Sequence, residues 1–234
     1  MKNLCVWEHN GNDTLLYSAT LVGAYTRGAT LAEAQAKMPG EVSAYLRWRG
    51  LPDGQPEITL AQEAACQLTV RDADSDIIFD SEQLPLSSAE YAELKQLALD
   101  SARDFLALYN AVPDKDKSAL YPRETFYGTV PRTAEEMYQH TKNVNCYYFS
   151  EIGVDADNDG TILDCRKRGF ALLEQQPDFL TQPPRTGSYD EVWSLRKVLR
   201  RFVWHDRIHA KAMYRMALKT FGEHSVPDVF RFEA

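Results

Sequence analysis

No uninterrupted apolar run in this sequence approaches the ~18 residues that suggest a membrane-crossing helix, so none is expected. The opening MKNLCVWEHNGND carries one lysine and no apolar stretch of useful length, and predicts no secretory signal. Cysteine is scarce: Cys5, Cys66, Cys146 and Cys165 are widely spread and none forms a CxxC pair. That spacing argues against a disulfide framework and fits reduced thiols in a cytoplasmic protein. Positive charge is also short, with 26 Lys and Arg against 34 Asp and Glu and a net charge of −8. A general nucleic-acid partner is therefore not expected, because phosphate contacts need clustered cations. The run SLRKVLRRF at 194–202 is the local exception; on a helix it reads as a solvated face rather than an anion-binding patch. There is no Gly-rich phosphate loop, no G-x-S-x-G elbow, no cysteine in a nucleophile motif, no internal repeat and no low-complexity segment.

What is present divides into two halves. The chain of 234 residues, 44% hydrophobic and 26% charged, suits a soluble globular protein of one large or two modest domains. The first part reads as mixed strand and helix. LCVWEH and LLYSATLVGAY are short, aromatic and β-rich, with the turn cluster HNGND between them. A helix follows in RGATLAEAQAKMPGEVSAYLRWRG, with Thr30 as cap and Glu33 as its box partner; Pro39 and Gly40 are expected to interrupt it. EITLAQEAACQLTVRD and DSDIIFDSE suggest further strands or edge pieces. Near Pro85 the period becomes helical. A first helix carries Tyr91, Leu94, Leu97, Ala98, Phe105 and Leu108 on one face, with Ser88 as candidate cap. A second has Thr133 as cap, Glu136 in the box position and Gly153 as stop. DCRKRGFALLEQQP makes a third despite Gly169, and a last helix runs from about 189 to Gly222. The expected class is α+β: an α/β domain over 1–84, four helices over 88–222 with one long connection, and a tail over 223–234.

The last helix contains FVWHDRIHAKAM, with His205 and His209 four residues apart. Residues at that spacing stand one above the other, so two imidazoles can share one ion without bending the backbone. Both fall on the apolar stripe Leu195, Val198, Phe202, Met213 and Met216. His140, near the stripe of Met137, Val144 and Tyr148 on the second long helix, is a third candidate. The bland alternative is a set of satisfied core histidines. Three imidazoles from two helices would form a site with an open fourth position, as catalytic centres have. Imidazole ligands suit Zn, Ni, Fe or Cu. His9 and His224 read as exposed and belong to no site. Asp206 points ~100° round the helix from His205 and reads as a surface or ligand-orienting group. Tyr138, Tyr147 and Tyr148 could reach a pocket, although core packing is the simpler reading.

On these residues the stretch 88–222 resembles the DinB-like (YfiT-like) metal-dependent superfamily, whose members share an up-and-down four-helix bundle. PRTAEEMYQHTKNVNCYYFSEI is similar to that family's second helix, loosely TAREMLEHI…E, and carries one ligand onto His140. SLRKVLRRFVWHDRIHAKAMYRMALKTFG is similar to its last helix, commonly HxxxHEQHHRGQ…LG, and carries the other two onto His205 and His209. Asp206 stands where the family often has Glu, and Lys211 where Gln is usual. The resemblance implies a divalent metal, and either transfer of a low-molecular-weight thiol to a small-molecule substrate or metal-dependent hydrolysis. The first half resembles a HicB-like α/β domain: GATLAEAQ keeps Gly28, Thr30, Glu33 and Ala34 of that family's G-x-T-x-x-E-A. This implies a partner-binding module, with a homodimer or a regulatory contact as its use.

DADNDGTILDCR is a second, weaker metal signal. Asp155, Asp157 and Asp159 occupy positions 1, 3 and 5 of a calcium loop and Gly160 the turn. Position 12, normally a bidentate Glu, is Arg166, which removes two oxygen ligands and adds a repelling charge. Two functional classes follow: a metal-dependent transferase or hydrolase, and a non-catalytic, metal-stabilised bundle beside a partner-binding domain.

Overall fold

The computed structural model describes residues 1–125 and 128–232; the last two positions of the expected tail, 233–234, lie outside them. A four-stranded sheet forms first, from β1 (Lys2–His9), β2 (Thr14–Ser18), β3 (Tyr25–Gly28) and β4 (Glu57–Ala65). Its order is β3-β2-β1-β4, antiparallel except for the parallel β1–β4 pair. The parallel pair needs a crossover. Helix α1 (Leu31–Trp48) lies within it, capped by Thr30, whose side chain accepts from the Glu33 amide. Pro39 does not interrupt α1. It and Gly40 are exposed, so the carbonyl that loses its amide donor is on the wet side of the helix. DSDIIFDSE forms no strand; Asp80–Gln83 is a single 3-10 turn.

Alternation along the strands gives the sheet two apolar faces. Cys5 and Leu16 pack with Met38, Val42 and Tyr45 of α1. Val6, Leu15, Tyr17 and Tyr25 pack on the other side with Ile77, Phe79, Trp204 and Ile208. The last two belong to α5 (Leu195–Phe221), which therefore covers the sheet face opposite α1. At Gly23, with φ near +91°, the β2–β3 turn presses on α5; a Cβ there would lie 2.4 Å from Val203 Cγ1.

The other long helices are α2 (Ser88–Ala111), α3 (Ala134–Ser150) and α4 (Ile162–Leu173). The cap of α2 is Ser87 rather than the expected Ser88: Ser87 and Glu90 form the reciprocal box. Helix α5 begins at Leu195 behind the cap Ser194, later than expected, because Ser188–Asp190 turns as 3-10 and Val192–Trp193 pairs with Arg185–Thr186. Two-residue strands also pair at Glu124–Thr125 and Gly128–Thr129. Helix α5 packs on α2 and α3, and α4 packs on the same two. This neighbour order corrects the expected simple up-and-down arrangement. The α2–α3 and α4–α5 joins, residues 112–133 and 174–194, are both long, and they let the chain cross the diagonal. Gly169 of α4 is what allows close approach to α3, since a Cβ there would sit 2.1 Å from Phe149 Cε2.

Because α5 faces the sheet on one side and helices on the other, residues 197–208 are buried without exception. The basic run is therefore no solvated face. Lys197 pairs with Glu191 at 2.9 Å and donates to the Asp76 and Val192 carbonyls. Arg200 forms a forked pair with Glu82 and donates to the Ile77 carbonyl at 2.9 Å. Arg207 pairs with Glu41 of α1 at 2.7 Å. These contacts fasten the first 84 residues to the last helix. Removing one member of a buried pair strands its partner, which costs about 3–5 kcal/mol. Glu82→Ala is therefore expected to lower the unfolding free energy in urea by about that amount, and Arg200→Met with Glu82→Leu to restore most of it. A loss below about 1 kcal/mol would place the pair with ordinary surface bridges.

Candidate metal centre

Two well-anchored helices supply the site. Thr133 and Glu136 cap α3 reciprocally, and His140 follows about two turns in. Ser194 caps α5 by accepting from the Lys197 amide, and Gly222 ends it at φ near +98°. The helical core splits into two apolar clusters, one around Phe149, Phe170 and Phe202 and one around Phe105, Met137 and Met213. Buried polar residues from all four helices include Ser101, Thr141, Asn145, Arg166 and Asp206. Asp206 accepts from Ser101 at 2.7 Å and from both terminal nitrogens of Arg166, with both residues of the pair fully buried. Asp206 is thus neither exposed nor within the histidine group. Its attachment to α2 and α4 fixes the rotation of α5, and so sends the next-door His205 toward α3.

All three sequence-predicted histidines come together. One ligand nitrogen from each of His140, His205 and His209 lies within 4.8 Å of the others, and no second such group of His, Cys, Asp or Glu occurs among the described residues. Ring centroids are 4.5 Å apart for His205–His209, 4.6 Å for His140–His209 and 5.1 Å for His140–His205. The set grades from exposed His140 through half-buried His209 to buried His205, so it opens outward at His140. Tyr148 and Trp204 stand at 6.1 and 6.3 Å from the inner ring.

The electrostatics favour neutral imidazoles, the form that binds a metal. Burial lowers the pKa of all three, to well below the usual value for His205 and His209. Neighbouring imidazoles and cations add to this: Arg201 and Arg166 act on His205, and Arg27 on His209. His205 Nδ1 is buried with no hydrogen-bond partner. An orphaned polar atom of this kind costs roughly 1–3 kcal/mol, and coordination is one way to satisfy it. The donor set, three nitrogens from two helices, fits a divalent transition ion.

The aspartates of the 155–159 loop are not brought into such a group. Arg168 holds Asp157 through both carboxylate oxygens and keeps its pKa down at about 2. Arg166, at the twelfth loop position, turns into the core to meet Asp206. His9 is in β1 rather than in a turn, stacked on Trp7 at 4.0 Å and bonded to Glu63. The cysteines are all free, and burial raises the thiol pKa of Cys5, Cys66 and Cys165, which makes them poor nucleophiles. Tyr138 and Tyr148 are buried core residues. No helix among the described residues is long and apolar enough to cross a membrane. Compared with known proteins, the chain matches no family model, no curated protein and no solved structure.

An imidazole whose folded pKa is depressed binds fewer protons than its unfolded counterpart below pH 6.5, so stability falls as pH drops through that value. His205 and His209 each add a slope of up to about 1.4 kcal/mol per pH unit. The metal-free protein is expected to lose unfolding free energy between pH 6.5 and 5 in urea titrations, and His205→Gln with His209→Gln to flatten the profile. A flat wild-type profile would contradict the burial of these rings.

Proposed function

We propose that the chain is a divalent-metal protein of the DinB-like kind, with His140, His205 and His209 as ligands and a HicB-like α/β segment over 1–84. The observation that carries this reading is the convergence of three imidazole nitrogens within 4.8 Å, one of them on a buried ring whose Nδ1 has no protein partner. Zn, Ni and Fe all suit this donor set. A divalent ion held there acidifies a bound water or thiol, and so supplies a nucleophile near neutral pH. The chain's own residues hold the ion, keep the imidazoles neutral and leave access past exposed His140, while Tyr148 and Trp204 close the inner side. The reaction class this favours is transfer of a low-molecular-weight thiol or hydrolysis of a small molecule.

Untagged protein is expected to carry near-stoichiometric metal by elemental mass spectrometry, and His205→Ala to carry at least about tenfold less. His140→Ala is expected to abolish thiol transfer or hydrolysis while circular dichroism stays unchanged. Wild-type protein that takes up no metal, even from added Zn²⁺ or Ni²⁺, contradicts the reading. Bound metal whose loss lowers the melting temperature, with no turnover to lose, supports the second reading: a metal-stabilised bundle beside a partner-binding segment.

A further inference from the structure

Two of the three histidines are set against each other by one helix. His205 and His209 share α5, so its geometry fixes their spacing. His140 comes from α3, and its distance from the other two depends on how α3 lies. That helix takes part in both apolar clusters of the bundle: Ala134, Met137 and Tyr138 pack in one, Tyr148 and Phe149 in the other. His140 belongs with the first group, and residues 141–147 join the two.

This joining stretch is stitched to a side chain from outside the helix. An interior helical amide ordinarily donates to the carbonyl four residues back. The Cys146 amide, well inside α3, donates to the side-chain oxygen of Asn158 at 2.9 Å. Asn158 Nδ2 in turn donates to the Asn143 carbonyl and to Cys146 Sγ, both at 3.0 Å. Asn158 thus offers α3 a C=O and an N–H as a peptide group would, beginning three residues after His140. A side chain inserted at a helix ladder is a recognised cause of bending. Thr141, next to His140, adds another: its hydroxyl donates back to the Met137 carbonyl at 2.7 Å.

The loop that carries Asn158 is itself anchored. Asn145 donates to the Asp157 carbonyl at 2.8 Å, and Arg168 grips the Asp157 carboxylate and donates to the Asp159 carbonyl at 2.6 Å. Just beyond the loop, the Ile162 amide donates to the Tyr138 hydroxyl at 3.0 Å. Residues 157–162 therefore hold α3 on both sides of His140, at Tyr138 and at Asn143–Cys146.

We propose that Asn158 is a positioning residue for the three-histidine centre. Its amide, inserted at α3, sets the direction of the segment bearing His140 relative to the segment packed through Tyr148 and Phe149, and so sets how His140 meets His205 and His209. A shared ion tolerates little error in ligand placement, roughly 0.5 Å. The proposal rests on the metal reading above and gives the 155–159 loop a part in that site without making it a second metal site.

The test titrates the full chain with Co²⁺ and follows the visible spectrum, which gives the affinity and reports the coordination geometry. Asn158→Ala is expected to weaken Co²⁺ binding by about tenfold or more and to change the spectrum of the bound ion. In a His140→Ala chain, where only the α5 pair remains, the same substitution is expected to change the affinity by less than about twofold, because its effect passes through the missing ring. Asn158→Asp, which keeps the acceptor for the Cys146 amide and loses the donor, takes its place if Asn158→Ala does not keep the wild-type circular dichroism. Affinity and spectrum unchanged in the folded variant overturn the positioning role and leave the metal reading standing. So does an equal loss with and without His140, which marks Asn158 as a support for the fold at large. A wild-type chain that binds no Co²⁺ overturns both.

Discussion

Over residues 197–208 the last helix is buried on every side, and the charges along it are what hold the two halves of the chain in one arrangement. Lys197, Arg200 and Arg207 give up water for Glu191, Glu82 and Glu41, and for carbonyls of the segment leading into the 3-10 turn at Asp80–Gln83. Such pairs add little net stability over apolar side chains of the same volume, but leaving one unmatched is expensive. They therefore act on register. If α5 slides or rotates against the sheet, several buried charges lose their partners at once. The Arg166–Asp206 pair does the same on the opposite side of the helix, toward α4 and α2.

This constraint accounts for the position of the histidines. With α5 held on both sides, His205 and His209 have one direction left to face, and α3 brings His140 to meet them. The sheet half contributes too: Trp204 packs against Tyr17 and Tyr25, Arg201 reaches the Ser75 carbonyl, and Arg27 comes from β3 itself. The three histidines therefore lie near the junction of the two halves, with their rings from the helices and one nearby charge, Arg27, from the sheet side.

Much of this was legible in the residues. The i, i+4 spacing of His205 and His209 within an apolar stripe identifies an inward-facing pair, because helical periodicity is a local property. The Thr133–Glu136 box and the Gly222 stop are local for the same reason. The features that escaped are those whose causes lie far along the chain. A basic run reads as solvated when its acid is 118 residues away, as Glu82 is from Arg200. Asp206 reads as a surface or ligand-orienting group for want of any sign that Arg166 will turn inward. Pro39 reads as a helix break because nothing nearby says that its missing hydrogen bond will face water. The crossed order of the helices depends on two long joins whose paths carry no local signature.

The central claim is that α5 and α3 are held so that three histidines share one ion. Anomalous diffraction from crystals grown with added Zn²⁺, collected on both sides of the zinc edge, tests it most directly. The account predicts one strong peak within coordination distance of a nitrogen on each of His140, His205 and His209. A peak at the 155–159 loop alone, or none at the histidines at full Zn²⁺ occupancy of the mother liquor, would contradict it and leave three imidazoles packed together for structural reasons.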